Sequence, residues 1–293
     1  MFLGEPHKAF TIMAWLKLTD KSLYLMEGNQ YLKKQDLREH QEGRALDIPF
    51  DWFKGDTLPM VVSITNGAEV VEPAPHPAPP PARFVGKDLA SRILQYMDGK
   101  GYKIFEGPQE YNIVYVEGMD TDGSLNSDAF NVFNDIRLVV EVVHGQPKIV
   151  GGPWIATTEP SRIYTHQPMN PKGAARIAFD QYAAWQVGDH KGHEALVQTG
   201  GKVTVCRDLD KNGFRTGDKL DSDFHGINQH HGYNNPKENI GRASAGCLVG
   251  RSIKEHEQFM SIIKQDRRYQ KNRNFVFTTT VIPGDDFVKQ VPA

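Results

Sequence analysis

The amino-acid sequence predicts an α+β fold, with a β-rich domain over residues 83–293 preceded by a small β-rich module over residues 1–66. Three observations predict it. Short runs of alternating apolar and polar residues outnumber segments with helical spacing. The helical segments are few and carry recognisable end signals. The stretch VEPAPHPAPPPARF, residues 71 to 84, is too rich in proline to enter a helix or a sheet interior. Residues 67–82 therefore read as a semi-rigid linker between the two parts.

Taken in order, AWLKL, SLYLM and MVVSI read as strands of the first part, with Trp15, Tyr24, Tyr31, Trp52 and Phe53 available for a compact core. No constellation of residues there points to chemistry, so a docking or spacer role is expected. The second part opens with a helix. Asp88 is its N-cap, Leu89, Ile93, Leu94 and Met97 fall on one face, and Gly99 ends it. YNIVYVEG alternates as a strand. DIRLVVEVV and KIVGGPW, joined through HGQP, read as a hairpin. GAARIAFDQYAAW predicts a helix, and KVTVCRD and FHGINQH predict strands. SIKEHEQFMSIIKQD is a helix with a capping box of Ser252 and Glu255, and NFVFTTTVI closes as a strand.

Composition excludes several classes. The chain has 293 residues, 39% hydrophobic and 24% charged, with a formal net charge of -2 and no extended basic run. No nucleic-acid partner is expected. There is no apolar run of ~18 residues, so no membrane span is expected. The N-terminus lacks a basic region, and Glu5, Pro6, His7 and Lys8 interrupt its apolar residues, unlike a secretory signal. Only two cysteines occur, Cys206 and Cys247, without metal-ligand spacing. No cofactor and no metal are expected. Cys206, inside an alternating strand, reads as a packing residue.

The chemistry concentrates in residues 224 to 251, FHGINQHHGYNNPKENIGRASAGCLVGR. A thiol nucleophile needs a base, because free cysteine is mostly protonated at neutral pH. It needs N–H donors for an oxyanion, which tight glycine turns expose. It needs small neighbours, and Ala245 and Gly246 provide them. Cys247 is thus the candidate nucleophile, with Ser244 and Gly246 in its turn. His230, His231 and His225 are candidate bases. His230 and His231 point to opposite faces of a strand, so one of the two is expected to face the thiol. A histidine partner is expected to lower the thiol pKa.

These residues resemble the L,D-transpeptidase catalytic domain. The matching pieces are His230, His231-Gly232, the loop Tyr233-Asn234-Asn235-Pro236, Ile240-Gly241, and Ser244-Ala245-Gly246-Cys247. A phage and bacterial subgroup with an Asn-x-His-x-Gly strand and a Ser-Ala-Gly-Cys turn is similar over more of the chain, roughly residues 110 to 283. Its further pieces correspond to Phe133-Asn134-Asp135, Thr157-Thr158-Glu159-Pro160, Asn170 with Gly173, and His190 with Ala195-Leu196-Val197-Gln198. Ala245 stands where the family has histidine, and Val249 where it has Arg or Asn, with Arg251 nearby but displaced.

The resemblance implies an L,D-transpeptidase-like fold for residues 83–293 and a peptidoglycan stem-peptide substrate attacked through a Cys acyl-enzyme. It implies catalytic roles for Cys247, His230, Ser244 and Gly246, and substrate contacts from His231, Gly232, Arg242, Arg251 and His190. Transferase and peptidase outcomes both stay open. The expected place of action is the cell wall, reached by phage, particle or another route without a conventional signal, or from the cytoplasm on release. The N-terminal module would meet a particle or wall partner. Two other readings remain: a non-catalytic wall-binding or structural component, and a cysteine peptidase acting on protein. Asp208, Asp210, Asn212 and Gly213 imitate the first half of a calcium loop, but Lys219 stands where that loop needs Glu. A polar turn is the preferred reading, with Asp218 and Asp221 able to complete only a rearranged site.

Overall fold

The computed structural model describes residues 83–293 apart from residue 216, together with the backbone of three strands near the N-terminus. These are β1 (Trp15–Leu18), β2 (Ser22–Glu27) and β3 (Gln30–Asp36), antiparallel in the order β1-β2-β3. β1 and β2 fall on AWLKL and SLYLM. MVVSI and the linker at 67–82 lie outside the described residues. The chain divides into two compact units, Met1–Ala78 and Pro79–Ala293.

The second unit is a mixed α+β, strand-rich fold. It begins with α1 (Leu89–Gly99), where Asp88 accepts a hydrogen bond from the Ser91 N–H at 3.1 Å and Ile93, Leu94 and Met97 are fully buried. Then come β4 (Asn112–Glu117), β5 (Asp135–Val143) and β6 (Gln146–Thr157). β5 turns into β6 through His144 and Gly145, both at positive φ, the geometry that matches strand twist in a two-residue hairpin. A short α2 (Arg162–His166) leads to β7 (Ala174–Ile177), β8 (Asp180–His190) and β9 (His193–Val197). β10 (Val203–Asp208), β11 (Lys219–Asp223), β12 (Gln229–His231) and β13 (Leu248–Gly250) follow. The chain closes with α3 (Ile253–Ile263), α4 (Arg267–Lys271), β14 (Phe277–Pro283) and α5 (Gly284–Gln290).

Eight strands form a closed barrel in the order β12-β13-β6-β5-β4-β14-β8-β9, and β11-β10-β7 form a second sheet. Tyr115, Trp185, Leu196, Leu248, Phe259, Phe277 and Val281 belong to one buried core, and α1 and α5 pack Ile93, Leu94, Met97 and Phe287 into another against Val114 and Leu138. Among the described residues, no helix is long and apolar enough to cross a membrane.

Two sequence expectations fail. The helix expected over GAARIAFDQYAAW is instead β7 and the start of β8. Its alanines fit either period, and pairing to β10, with Cys206 opposite Arg176, overrides their helical preference. FHGINQH is a strand only at Gln229–His231. The preceding backbone N–H groups of His225 and Ile227 donate to a side chain, Gln198 Oε1, rather than to a ladder.

Candidate active site

Strand register brings Cys247 and His230 to one face. β12 and β13 run parallel, with Gln229 opposite Leu248 and His230 opposite Val249. Gln229 and Leu248 are fully buried toward the barrel, where Gln229 Nε2 donates to Thr279 Oγ1 at 2.8 Å. Alternation therefore turns Asn228, His230, Cys247 and Val249 to the other face. Cys247 and His230 line one cavity of about 440 Å³.

The turn before Cys247 is held from beneath. Ser244 is fully buried, and its hydroxyl donates to the Cys247 carbonyl at 2.9 Å and accepts from the Gly246 N–H at 3.1 Å. The Ser161 N–H donates to the Ser244 carbonyl at 2.9 Å. Gly246 adopts φ +134°, and a Cβ there would come within 2.4 Å of the Ala175 carbonyl oxygen. Only glycine fits. Ser244 and Gly246 thus shape the turn from behind the cavity.

The histidines separate by their partners. His230 Nδ1 lies 2.8 Å from the His231 carbonyl, which can only accept, so Nδ1 carries the proton and Nε2 keeps its lone pair. Burial pushes the His230 imidazole down to about 3, so it is neutral near pH 7. Both nitrogens of His225 are committed: Arg207 donates to Nδ1 at 2.9 Å, and Nε2–H donates to the Asp221 carbonyl at 2.9 Å. His231 packs against His193, Tyr233 and His256, and its Nδ1 accepts from the Tyr233 N–H at 3.2 Å.

Of the other expected substrate contacts, His190 and Arg242 line the cavity, whereas His231, Gly232 and Arg251 do not. Gly232 abuts Phe133, and Arg251 donates to the Asn235 carbonyl at 3.3 Å, bracing the loop after β12. His190 stacks on His230 with ring centroids 4.4 Å apart and planes 22° apart, and its Nδ1 lies 2.9 Å from Asn228 Nδ2.

The thiol departs from the sequence expectation. Burial pushes the Cys247 pKa up; hydrogen bonding to the Asn228 backbone and the charge of Lys191 only partly oppose this. Its Sγ lies 3.6 Å from the Gly226 carbonyl. Burial thus disfavours the thiolate at Cys247 and the imidazolium at His230 alike. Cys206 is also a free thiol, buried on β10.

Sequence reasoning missed Arg207, Lys191, Tyr164 and Phe224, which also line the cavity. Arg207 sits in a strand that reads as packing, and only the fold brings it to His225. Gln198 and Asn228 carried a signal, since both stand in the motif pieces quoted above. Gln198 Nε2 also donates to the Gly201 and Asp223 carbonyls, so one side chain clamps the segment leading to Gly226.

Other quoted pieces meet in a buried charge network. Asp135 accepts from the N–H groups of Gly118 and Thr158, and Thr158 Oγ1 donates to Glu117 at 2.5 Å. Arg176 reaches Glu117 at 3.0 Å and Glu159 at 3.2 Å, and Arg215 pairs with Glu117. Burial alone would raise Glu117, but Arg215 and Arg176 outweigh it and hold the carboxyl at about 2. At Glu159 burial wins over Arg176 and pushes the carboxyl up to about 8. The network neighbours the Ser244–Cys247 turn through Ala175 and Ser161.

The Asp-rich segment hydrogen-bonds to its own backbone. Asp208 accepts from the N–H groups of Asn212 and Gly213, and Asp221 pairs with Arg207 at 3.0 Å. Carboxylate oxygens of Asp208, Asp210 and Asp218 come within 4.8 Å of one another.

Comparison with models of known families, with characterised proteins and with solved structures found no match.

Proposed function

We propose that this chain is a peptidoglycan-acting cysteine enzyme that attacks a stem-peptide amide through a Cys247 acyl-enzyme. The observation that carries the reading is the shared cavity of Cys247 and His230, with the His230 Nε2 lone pair left open by the Nδ1 hydrogen bond. His230 takes the thiol proton as sulfur attacks, then returns it to the leaving amine. Resolution by a second amine makes the enzyme a transferase; resolution by water makes it a peptidase. The substrate class rests on the resemblance to L,D-transpeptidases, which the Asn228-x-His230-x-Gly232 and Ser244-Ala245-Gly246-Cys247 pieces carry.

The test is incubation with purified peptidoglycan, followed by mass spectrometry of the soluble muropeptides. Wild type is expected to release or exchange stem-peptide products, and Cys247→Ala is expected to do neither. Equal product from both proteins would refute the reading. Retention on peptidoglycan without any product, in wild type as in the variant, would favour a wall-binding component.

A further inference from the structure

We propose that His190 is a further catalytic residue, whose Nε2–H donates a hydrogen bond to the acyl oxygen as the thiol adds. This deepens the cysteine acyl-enzyme reading above and rests on it, but does not depend on peptidoglycan being the substrate.

Thiol addition forms the C–S bond, moves the carbonyl π pair onto oxygen, and sends the S–H proton to His230 Nε2. Collapse breaks the C–N bond, and the amine leaves with that proton. The oxygen bears the charge in between, and preorganised donors there are the largest single contribution in such chemistry. Of the three consecutive amides at the turn, Gly246 N–H is taken by Ser244 Oγ and Leu248 N–H by the Asn228 carbonyl. Among the described residues, only the Cys247 N–H of these three has no acceptor.

His190 is built to supply another. It ends β8 at a two-residue turn, with Lys191 and Gly192 at positive φ, and so reaches the cavity that Cys247 and His230 line. Asn228 is itself fixed, its Oδ1 accepting from the Gln198 N–H at 2.9 Å. That bond leaves Nδ2 to donate to His190 Nδ1 at 2.9 Å. With Nδ1 accepting, the neutral ring carries its proton on Nε2. Burial also lowers the His190 pKa, which keeps the ring neutral. A ring that only stacked on His230 would need no fixed tautomer; the Asn228 lock has a purpose if Nε2–H is used.

The experiment compares two reactions at the same sulfur. Acylation by p-nitrophenyl acetate develops an oxyanion, followed as the nitrophenolate burst. Alkylation by iodoacetamide develops none at an acyl carbon. His190→Phe keeps a flat ring against His230 but loses the N–H, and is expected to slow acylation about 10²–10³-fold, the cost of one such donor. Alkylation is expected to stay within about twofold of wild type, on the scale where tenfold is 1.36 kcal/mol. His190→Gln, which restores an N–H donor, is expected to recover part of the acylation rate. The proposal is overturned if acylation and alkylation fall together, if neither falls, or if His190→Phe outperforms His190→Gln in acylation. Absence of any wild-type burst would instead count against the acyl-enzyme reading itself.

Discussion

Cys247 and His230 are both expected to rest neutral, and removing the imidazole tests this directly. With His230 at about 3, its protonated fraction at pH 7 is about 10⁻⁴, and charging the buried ring there costs about 5 kcal/mol at 1.36 kcal/mol per unit. Burial therefore opposes an imidazolium–thiolate pair at rest, and the expected resting state is neutral at both groups. Burial raises the thiol as well. The measurement is the iodoacetamide rate from pH 5 to 10.5 in wild type and His230→Ala. Wild type is expected to rise through a midpoint above the free-thiol value of about 8.5, without a fast plateau at low pH. His230→Ala is expected to leave that midpoint in place or lower it, since water then reaches the sulfur. Turnover of the same variant should fall by roughly 10²–10⁴, the usual share of a general base. A fast wild-type plateau below pH 7 that disappears in His230→Ala would refute this reasoning and restore the preformed ion pair.

Glu159 makes folding stability pH-dependent in a defined direction. Its folded pKa of about 8 lies above the unfolded value of 4.5, so the folded state binds the proton more tightly. Its contribution is full below pH 4.5 and is lost as pH rises to 8, at most about 5 kcal/mol from that shift. The melting temperature should accordingly fall between pH 5 and 8.5 in wild type and fall less in Glu159→Gln, where Asp135, which burial also holds well above its ordinary value, keeps part of the slope; identical pH slopes would exclude Glu159 as a source. Gly246→Ala should cost a few kcal/mol, on the scale of a strained φ combined with a backbone clash, and should slow acylation because the Cys247 turn must move. Unchanged denaturation midpoint and activity would show that the turn tolerates a side chain.

Much of the local structure is written in local signals. Asp88 and Ser252 cap α1 and α3, and the alternation of 112–117 and 135–143 matches β4 and β5, because caps and period-two burial depend on near neighbours alone. The candidate nucleophile and histidine were legible for the same reason, both lying in one short glycine-rich segment. The chain from Gly173 to Trp185 was not legible as strands, since Ala174, Ala175, Ala183 and Ala184 satisfy a helical period equally well. Only pairing with β10 and β14 decides it. The choice among His225, His230 and His231 was likewise tertiary. His225 is consumed by Arg207 and Asp221, His231 turns toward His193 and His256, and His230 alone of the three keeps an open nitrogen in the cavity with Cys247. Protonation followed the same rule. Motif spacing places a thiol near an imidazole, but the balance between burial and neighbouring charge sets whether either is ionised. That balance is a property of the packed barrel wall and not of the residues' order in the chain.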